Sequence, residues 1–207
     1  MTPKPPSAVI ETAHDEHLQS LPFEDTADFA DADRGFIAAL TPCVVKAADG
    51  RVVWDNDAYG FLSGGDAPTS VHPSLWRQST LAAKQGLYEV VEGIYQVRGL
   101  DLSNISFIEG DTGIVVIDPL VSTETAAAAL GLYRAHRGDR PVVAVIYTHS
   151  HVDHFGGVLG GDHSGRGRRR QGRGAGARGF HRARGSGERL RGHRNGASGR
   201  LHVRRRP

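Results

Sequence analysis

The stretch Thr148-His149-Ser150-His151-Val152-Asp153-His154-Phe155-Gly156-Gly157 holds three imidazoles and one carboxylate within six residues. Imidazole nitrogen and carboxylate oxygen suit zinc and similar divalent ions, and His-x-His spacing sets two donors a short reach apart. Asp153 and His154 are adjacent, so convergence of all four side chains on one ion would strain the backbone. Two neighbouring ions explain the pattern better, with His149 and His151 on one and Asp153 and His154 on the other. Paired ions of this kind lie roughly 3.5–4 Å apart. The bland reading is a polar loop of surface histidines. The order H-x-H-x-D-H directly after an apolar run argues against it.

That run, Val142-Val143-Ala144-Val145-Ile146-Tyr147, is long enough for a buried strand and too short for a typical helix. The donors therefore sit on a loop at a strand's end, where a rigid sheet positions polar groups. Upstream, Leu87-Tyr88-Glu89-Val90, Ile94-Tyr95-Gln96-Val97-Arg98 and Ile105-Ser106-Phe107-Ile108 alternate apolar and polar, as half-buried strands require. Ile114-Val115-Val116-Ile117 follows a Gly-containing turn as a wholly apolar, buried strand, ended by Asp118-Pro119. Ser122 is a fair N-cap for a helix over 123–137, with Glu124 near its positive end and His136, Arg137 and Gly138 near its close. The predicted order is strands, helix, strand, donor loop. Asp118 stands at a strand end, either orienting a donor histidine or capping the following turn. For Asn104 and Tyr147, and for Trp54 and Trp76, packing is the simpler reading. Residues 1–20 show no clear period and predict a mobile or wrapped arm. Residues 21–38 predict a docked helix or an extended segment, and Val52–Asp55 and Tyr59–Leu62 short strand or turn pieces.

The wording Thr148-His149-Ser150-His151-Val152-Asp153-His154-Phe155-Gly156-Gly157-Val158 resembles the metal motif of the metallo-β-lactamase superfamily. Arg34-Gly35-Phe36-Ile37-Ala38, Val53-Trp54-Asp55, His72-Pro73-Ser74-Leu75-Trp76-Arg77-Gln78, Ile108-Glu109-Gly110-Asp111-Thr112-Gly113 and Val116-Ile117-Asp118-Pro119-Leu120 resemble its alkyl sulfatase branch. The resemblance covers roughly residues 21–160. It implies an α/β (α+β) fold, the N-terminal half of an αββα sandwich. It also implies two divalent metal ions, zinc foremost, held by His149, His151, Asp153 and His154, and hydrolysis of a small-molecule alkyl sulfate ester. The implied organisation is a family-specific region over 1–85, a partial metallo-β-lactamase domain over 86–160 and a basic tail over 161–207.

Composition bounds these readings. The chain has 207 residues and one cysteine, Cys43, which excludes an internal disulfide and a Cys-based zinc finger. No apolar stretch reaches the roughly 18–20 residues of a membrane helix. The start has no apolar leader, so a cytoplasmic location is the default expectation. The formal net charge of +2 conceals a split. Residues 1–160 hold 10 Lys+Arg against 21 Asp+Glu, giving −11, whereas 161–207 hold 15 Arg against Asp162 and Glu188, giving +13. With 12 Gly and little apolar surface, the tail is expected to be disordered.

A basic arm binding nucleic acid non-specifically is one reading of 161–207. GC-rich DNA translated out of frame gives the same Arg, Gly, Ala and His bias, and that origin is preferred. Family donors downstream would then be absent, and His163, His181, His193 and His202, set among arginines, are poor substitutes. The sheet face of residues 87–147 would be left poorly covered. Activity is expected to be impaired or absent, and a family-type homodimer is not expected. The competing functions are another hydrolase of the superfamily (lactamase or thioesterase), a nucleic-acid binder acting through its tail, and a non-catalytic remnant.

Overall fold

The computed structural model describes residues 5–161. Its elements in chain order are α1 (Ala8–Ser20), α2 (Ala27–Asp33), β1 (Phe36–Ala38), β2 (Val44–Lys46), β3 (Val52–Asp55), α3 (Pro73–Ala82), β4 (Gly86–Val91), β5 (Ile94–Arg98), β6 (Ile105–Glu109), β7 (Ile114–Ile117), α4 (Thr123–Arg137) and β8 (Val142–Ile146). Short 3₁₀ segments span Asp57–Ser63, Val152–His154 and Val158–Gly161. The basic tail expected to be disordered, with its four histidines, lies outside the described residues.

A six-stranded sheet runs in the order β1-β4-β5-β6-β7-β8, and β2 with β3 forms a separate hairpin. Every pair in the large sheet is antiparallel except β7 with β8, which run parallel. A parallel pair needs a crossover, and α4 supplies it. The helix begins where the sequence predicts: Ser122 Oγ accepts from the Thr125 N–H at 3.1 Å, and Gly138 closes the other end at φ 92°. Glu124 in the first turn and Arg134, His136 and Arg137 in the last match the helix dipole.

Alternation along the strands decides where the core lies. Tyr95, Val97, Ile105, Phe107, Ile114 and Val116 face α4, whose Ala129, Leu130, Leu132 and Tyr133 close over them. Phe107 is fully buried and stacks on Tyr133 with ring centroids 4.6 Å apart. The Tyr133 hydroxyl donates to Glu109 Oε1 at 2.8 Å, which satisfies the one polar atom of that ring. Cys43 is buried in the same core, and burial, then Asp57 and Asp55, push its thiol up to about 11. One sheet with one helical layer is half of an αββα sandwich, as predicted.

Three expectations need correction. The first residues are not an aperiodic arm, since Ala8–Ser20 is helical with none of its residues buried. A helix without an apolar stripe gives no periodic signal. It is held instead by polar contacts, His14 Nδ1 to Thr69 O at 2.9 Å and His17 Nδ1 to His72 Nε2 at 3.0 Å. Next, β8 is not buried. Among the described residues it is an edge strand paired only to β7, and Val143 and Ile146 are 50% and 47% exposed. Last, β7 buries only alternate residues, Ile114 and Val116. Residues 21–38 resolve into α2 and β1, pinned by Arg77, which donates to Asp28 Oδ1 at 2.6 Å and to Phe23 O at 3.1 Å.

Phe107→Ala is expected to cost about 3–5 kcal/mol in urea unfolding, since the site is close-packed on both sides. A loss near zero would show that α4 does not clamp the sheet through this ring. Glu109 supplies a pH test. Burial raises its pKa, but hydrogen bonds from Arg137 and Tyr133, with the charges of Arg137 and Arg140, more than offset this and hold it below the ordinary 4.5. A depressed carboxyl stabilises the fold above its unfolded-state value and ceases to do so as pH falls through the folded value. Glu109→Gln should therefore lower stability at pH 7 and make no difference at pH 2–3. An equal deficit at both pH values would refute this account.

Candidate metal centre

The donor loop leaves β8 and folds back against the turn that leaves β7. That return needs glycine. A Cβ at Gly156 would stand 2.2 Å from Val121 O, and one at Gly157 would stand 2.1 Å from Pro119 O. With no side chain there, the Gly157 N–H reaches Leu120 O at 2.9 Å. The opposing turn is itself unusual, with Asp118 at φ 53° and Leu120 at φ 61°. Left-handed backbone at a leucine is strained and tends to gather at functional sites.

Asp118 is 8% exposed and sits at the junction of the two segments. Its Oδ1 accepts the Thr148 N–H at 2.8 Å, and its Oδ2 accepts the Thr148 hydroxyl at 2.7 Å and His154 Nδ1–H at 2.9 Å. Burial raises the pKa of this carboxyl, yet the two Thr148 bonds and His154 hold it below the ordinary range. As a carboxylate it can only accept, which fixes the protons around it. His154 must carry hydrogen on Nδ1, leaving Nε2 free. The Thr148 hydroxyl, having donated to Asp118, accepts from His149 Nδ1 at 2.9 Å, which leaves the His149 Nε2 lone pair facing His151. One buried carboxylate thus presents two imidazoles with their lone pairs outward.

The free atoms are paired. His149 Nε2 lies 3.0 Å from His151 Nδ1, and His154 Nε2 lies 3.4 Å from Asp153 Oδ2. Two ligand atoms on a tetrahedral ion with bonds of about 2.0–2.1 Å stand about 3.3 Å apart. Both separations are compatible with two ligands on one ion. The two pairs are neighbours, with the His149 and His154 rings 4.0 Å apart. Among the described residues no three His, Cys, Asp or Glu side chains are arranged to hold a single ion. The imidazole and carboxylate donors are of the type that suits a divalent ion, two at a time among the described residues.

The structure brings all five predicted residues together, with Asp118 orienting a histidine. Thr148 and Ser103 carry roles the sequence reading missed. Thr148 couples Asp118 to His149, and the Ser103 hydroxyl donates to the Asp153 carbonyl, fixing the loop from the β5–β6 side. Thr148 was legible in principle, as a hydroxyl directly before the first donor; Ser103 was not, being 50 residues away. Tyr147 packs against Phe155 with centroids 6.2 Å apart, a structural role as expected.

Comparison with known proteins follows the same lines. A model described as the metallo-beta-lactamase superfamily matches residues 98–191. A linear primary-alkylsulfatase of Pseudomonas sp is 53% identical over 160 residues, 77% of this chain and 24% of that protein. Alkyl/aryl-sulfatase BDS1 of Saccharomyces cerevisiae is 50% identical over 145 residues, 70% of this chain and 22% of its own length. The solved stereoselective inverting sec-alkylsulfatase Pisa1 from Pseudomonas sp. superposes with TM-score 0.73 at 52% identity, covering 77% of this chain and 25% of that one. The chain spans about a quarter of the length of these relatives.

Asp118→Asn is expected to retain the fold by circular dichroism while its divalent-ion affinity falls about 10–100-fold in a chelator competition titration. In two-bond ¹⁵N–¹H spectra His154 should be protonated on Nδ1 in the parent and a tautomer mixture in the variant. A His154 tautomer indifferent to the substitution would remove Asp118 from its orienting role.

Proposed function

We propose metal-dependent hydrolysis of alkyl sulfate esters as the chemistry of this chain, which matches the metallo-beta-lactamase superfamily over residues 98–191 and is 50–53% identical to alkylsulfatases over the stretch it shares with them. The observation that carries the reading is the pairing of donor atoms at 3.0 and 3.4 Å in a chain about half identical to alkylsulfatases. His149 and His151 would hold one divalent ion, Asp153 and His154 a second, and zinc suits this nitrogen and oxygen set. Bound ions of this type supply hydroxide at neutral pH, by lowering the pKa of water to about 7, and offset charge on a sulfate oxygen.

The chain's own residues contribute positioning. Asp118 keeps a proton on His154 Nδ1 and, through Thr148, one on His149 Nδ1, so neither imidazole turns its lone pair inward. Ser103, Gly156 and Gly157 fix the loop so that the donors do not need to be ordered at each turnover. Residues 86–160 form the partial catalytic unit, and 1–85 the family-specific region around it. Among the described residues each pair supplies two donors where a zinc site takes three or four protein ligands, which favours slow turnover by this chain. A lactamase or thioesterase reading is disfavoured, because the similar proteins at 50–53% identity are named alkylsulfatases.

Zinc-loaded full chain is expected to release sulfate from dodecyl sulfate roughly 100-fold or more slowly than the full-length linear primary-alkylsulfatase, on the scale of losing one stabilising group. It should leave a β-lactam and a thioester untouched. Metal analysis should show His149→Ala/His151→Ala losing one ion and Asp153→Ala/His154→Ala the other. Faster hydrolysis of the lactam or thioester than of the sulfate ester would overturn the substrate assignment. Loss of both ions by either double variant would overturn the pairing.

A further inference from the structure

Away from the donor loop, the described residues enclose a cavity of about 620 Å³ between α3, the 3₁₀ segment Asp57–Ser63 and the near ends of β4 and β5. That volume falls within the range of small-molecule sites. Its walls include Trp54, Phe61, Leu62, Trp76, Tyr88 and Arg98. Trp54 and Trp76 are the only two tryptophans of the chain. Trp54 is fixed by its indole N–H, which donates to Gly99 O at 3.0 Å, and Phe61 and Trp76 lie with ring centroids 6.1 Å apart. Phe61 at the rim is 63% exposed, more than a side chain with only a packing role requires.

The charges in this wall are uneven. Lys84 is paired with Asp33 at 2.5 Å. The buried carboxylate of Asp101 accepts from Leu102 N, Val121 N and the Thr125 hydroxyl at 2.5, 3.1 and 2.5 Å. Arg98 differs. Its guanidinium lies 4.3 Å from the centre of the Tyr88 ring and donates to Gln96 Oε1 at 2.8 Å, and no carboxylate among the described residues forms an ion pair with it. A planar cation held in place over an aromatic ring, with donors left over, recognises sulfate-like oxygens well.

We infer that this cavity is a binding site for a single-chain amphiphile with an anionic head, its hydrocarbon lying among Trp54, Phe61, Leu62 and Trp76 and its head on Arg98. The choice of a sulfate-type head follows from the sulfatase reading; the site itself does not, because it uses none of the four metal donors. Occupancy requires no divalent ion, and apolar burial supplies most of the affinity.

The two tryptophans make the test direct. The full chain in EDTA, kept below the critical micelle concentration, is titrated with decanesulfonate, decanol and inorganic sulfate while intrinsic fluorescence is followed. Decanesulfonate should give a saturable change at one ligand per chain, decanol a weaker one, and inorganic sulfate none. Arg98→Gln should weaken decanesulfonate about tenfold and leave decanol unchanged. Ser79→Phe, which places a ring in the cavity, should abolish both, with near-ultraviolet circular dichroism confirming an intact fold in each variant. The site is refuted by no saturable change, by Ser79→Phe binding as the parent does, or by a midpoint that tracks protein concentration as self-association would. Equal affinity for decanol and decanesulfonate refutes the role of Arg98. These results hold whether or not the chain releases sulfate, so failure of this inference and failure of the sulfatase reading remain separable.

Discussion

The arrangement hangs on one buried carboxylate. Asp118 leaves the end of β7 in a left-handed backbone conformation and faces Thr148, the second residue after β8, so the two parallel strands meet through it. Its three accepted hydrogen bonds compensate for taking a charge out of water. Each of those bonds also does something for the donors: one ties down the backbone at Thr148, one sets the Thr148 hydroxyl and through it His149, and one sets His154. A neutral amide in that place would offer donors where acceptors are required. Strand pairing brings the groups near; the carboxylate decides which way they face.

Much of this could be read from the chain. The alternation over residues 87–108 and the cap at Ser122 located β4, β5, β6 and α4 closely, because one-sided burial and capping both leave periodic or positional marks. The clustering of the donors was also legible, since all four fall within six residues directly after an apolar strand. Other features left no such mark. The helix Ala8–Ser20 buries nothing and so has no apolar stripe to detect. The exposure of β8 depends on what lies beside it in the sheet, a property of tertiary arrangement that its own apolar residues cannot reveal. The grip of Ser103 on Asp153 joins positions brought together only by folding.

The same topology separates two kinds of surface. On the α4 side the sheet is closed by a continuous core from Cys43 to Tyr133. On the other face Gln96, Arg98 and Ser106 alternate with those core residues and are only partly covered. Polar residues there are bonded to one another, Gln96 to Ser106 at 3.2 Å and Arg98 to Gln96 at 2.8 Å, so that face tolerates water. The apolar edge strand β8 exposes Val143 and Ile146 by about half.

Because the donors follow the outermost strand, their order is tied to the least protected rung of the ladder. Transient fraying of β8 from β7 would scatter the imidazoles while the aromatic interior stayed shut, since Tyr133 packs on Tyr95 of β5 and Phe107 of β6. Order in the histidine loop and global folding are therefore uncoupled in this architecture: a molecule could pass every spectroscopic check of nativeness and still spend part of its time with those imidazoles adrift.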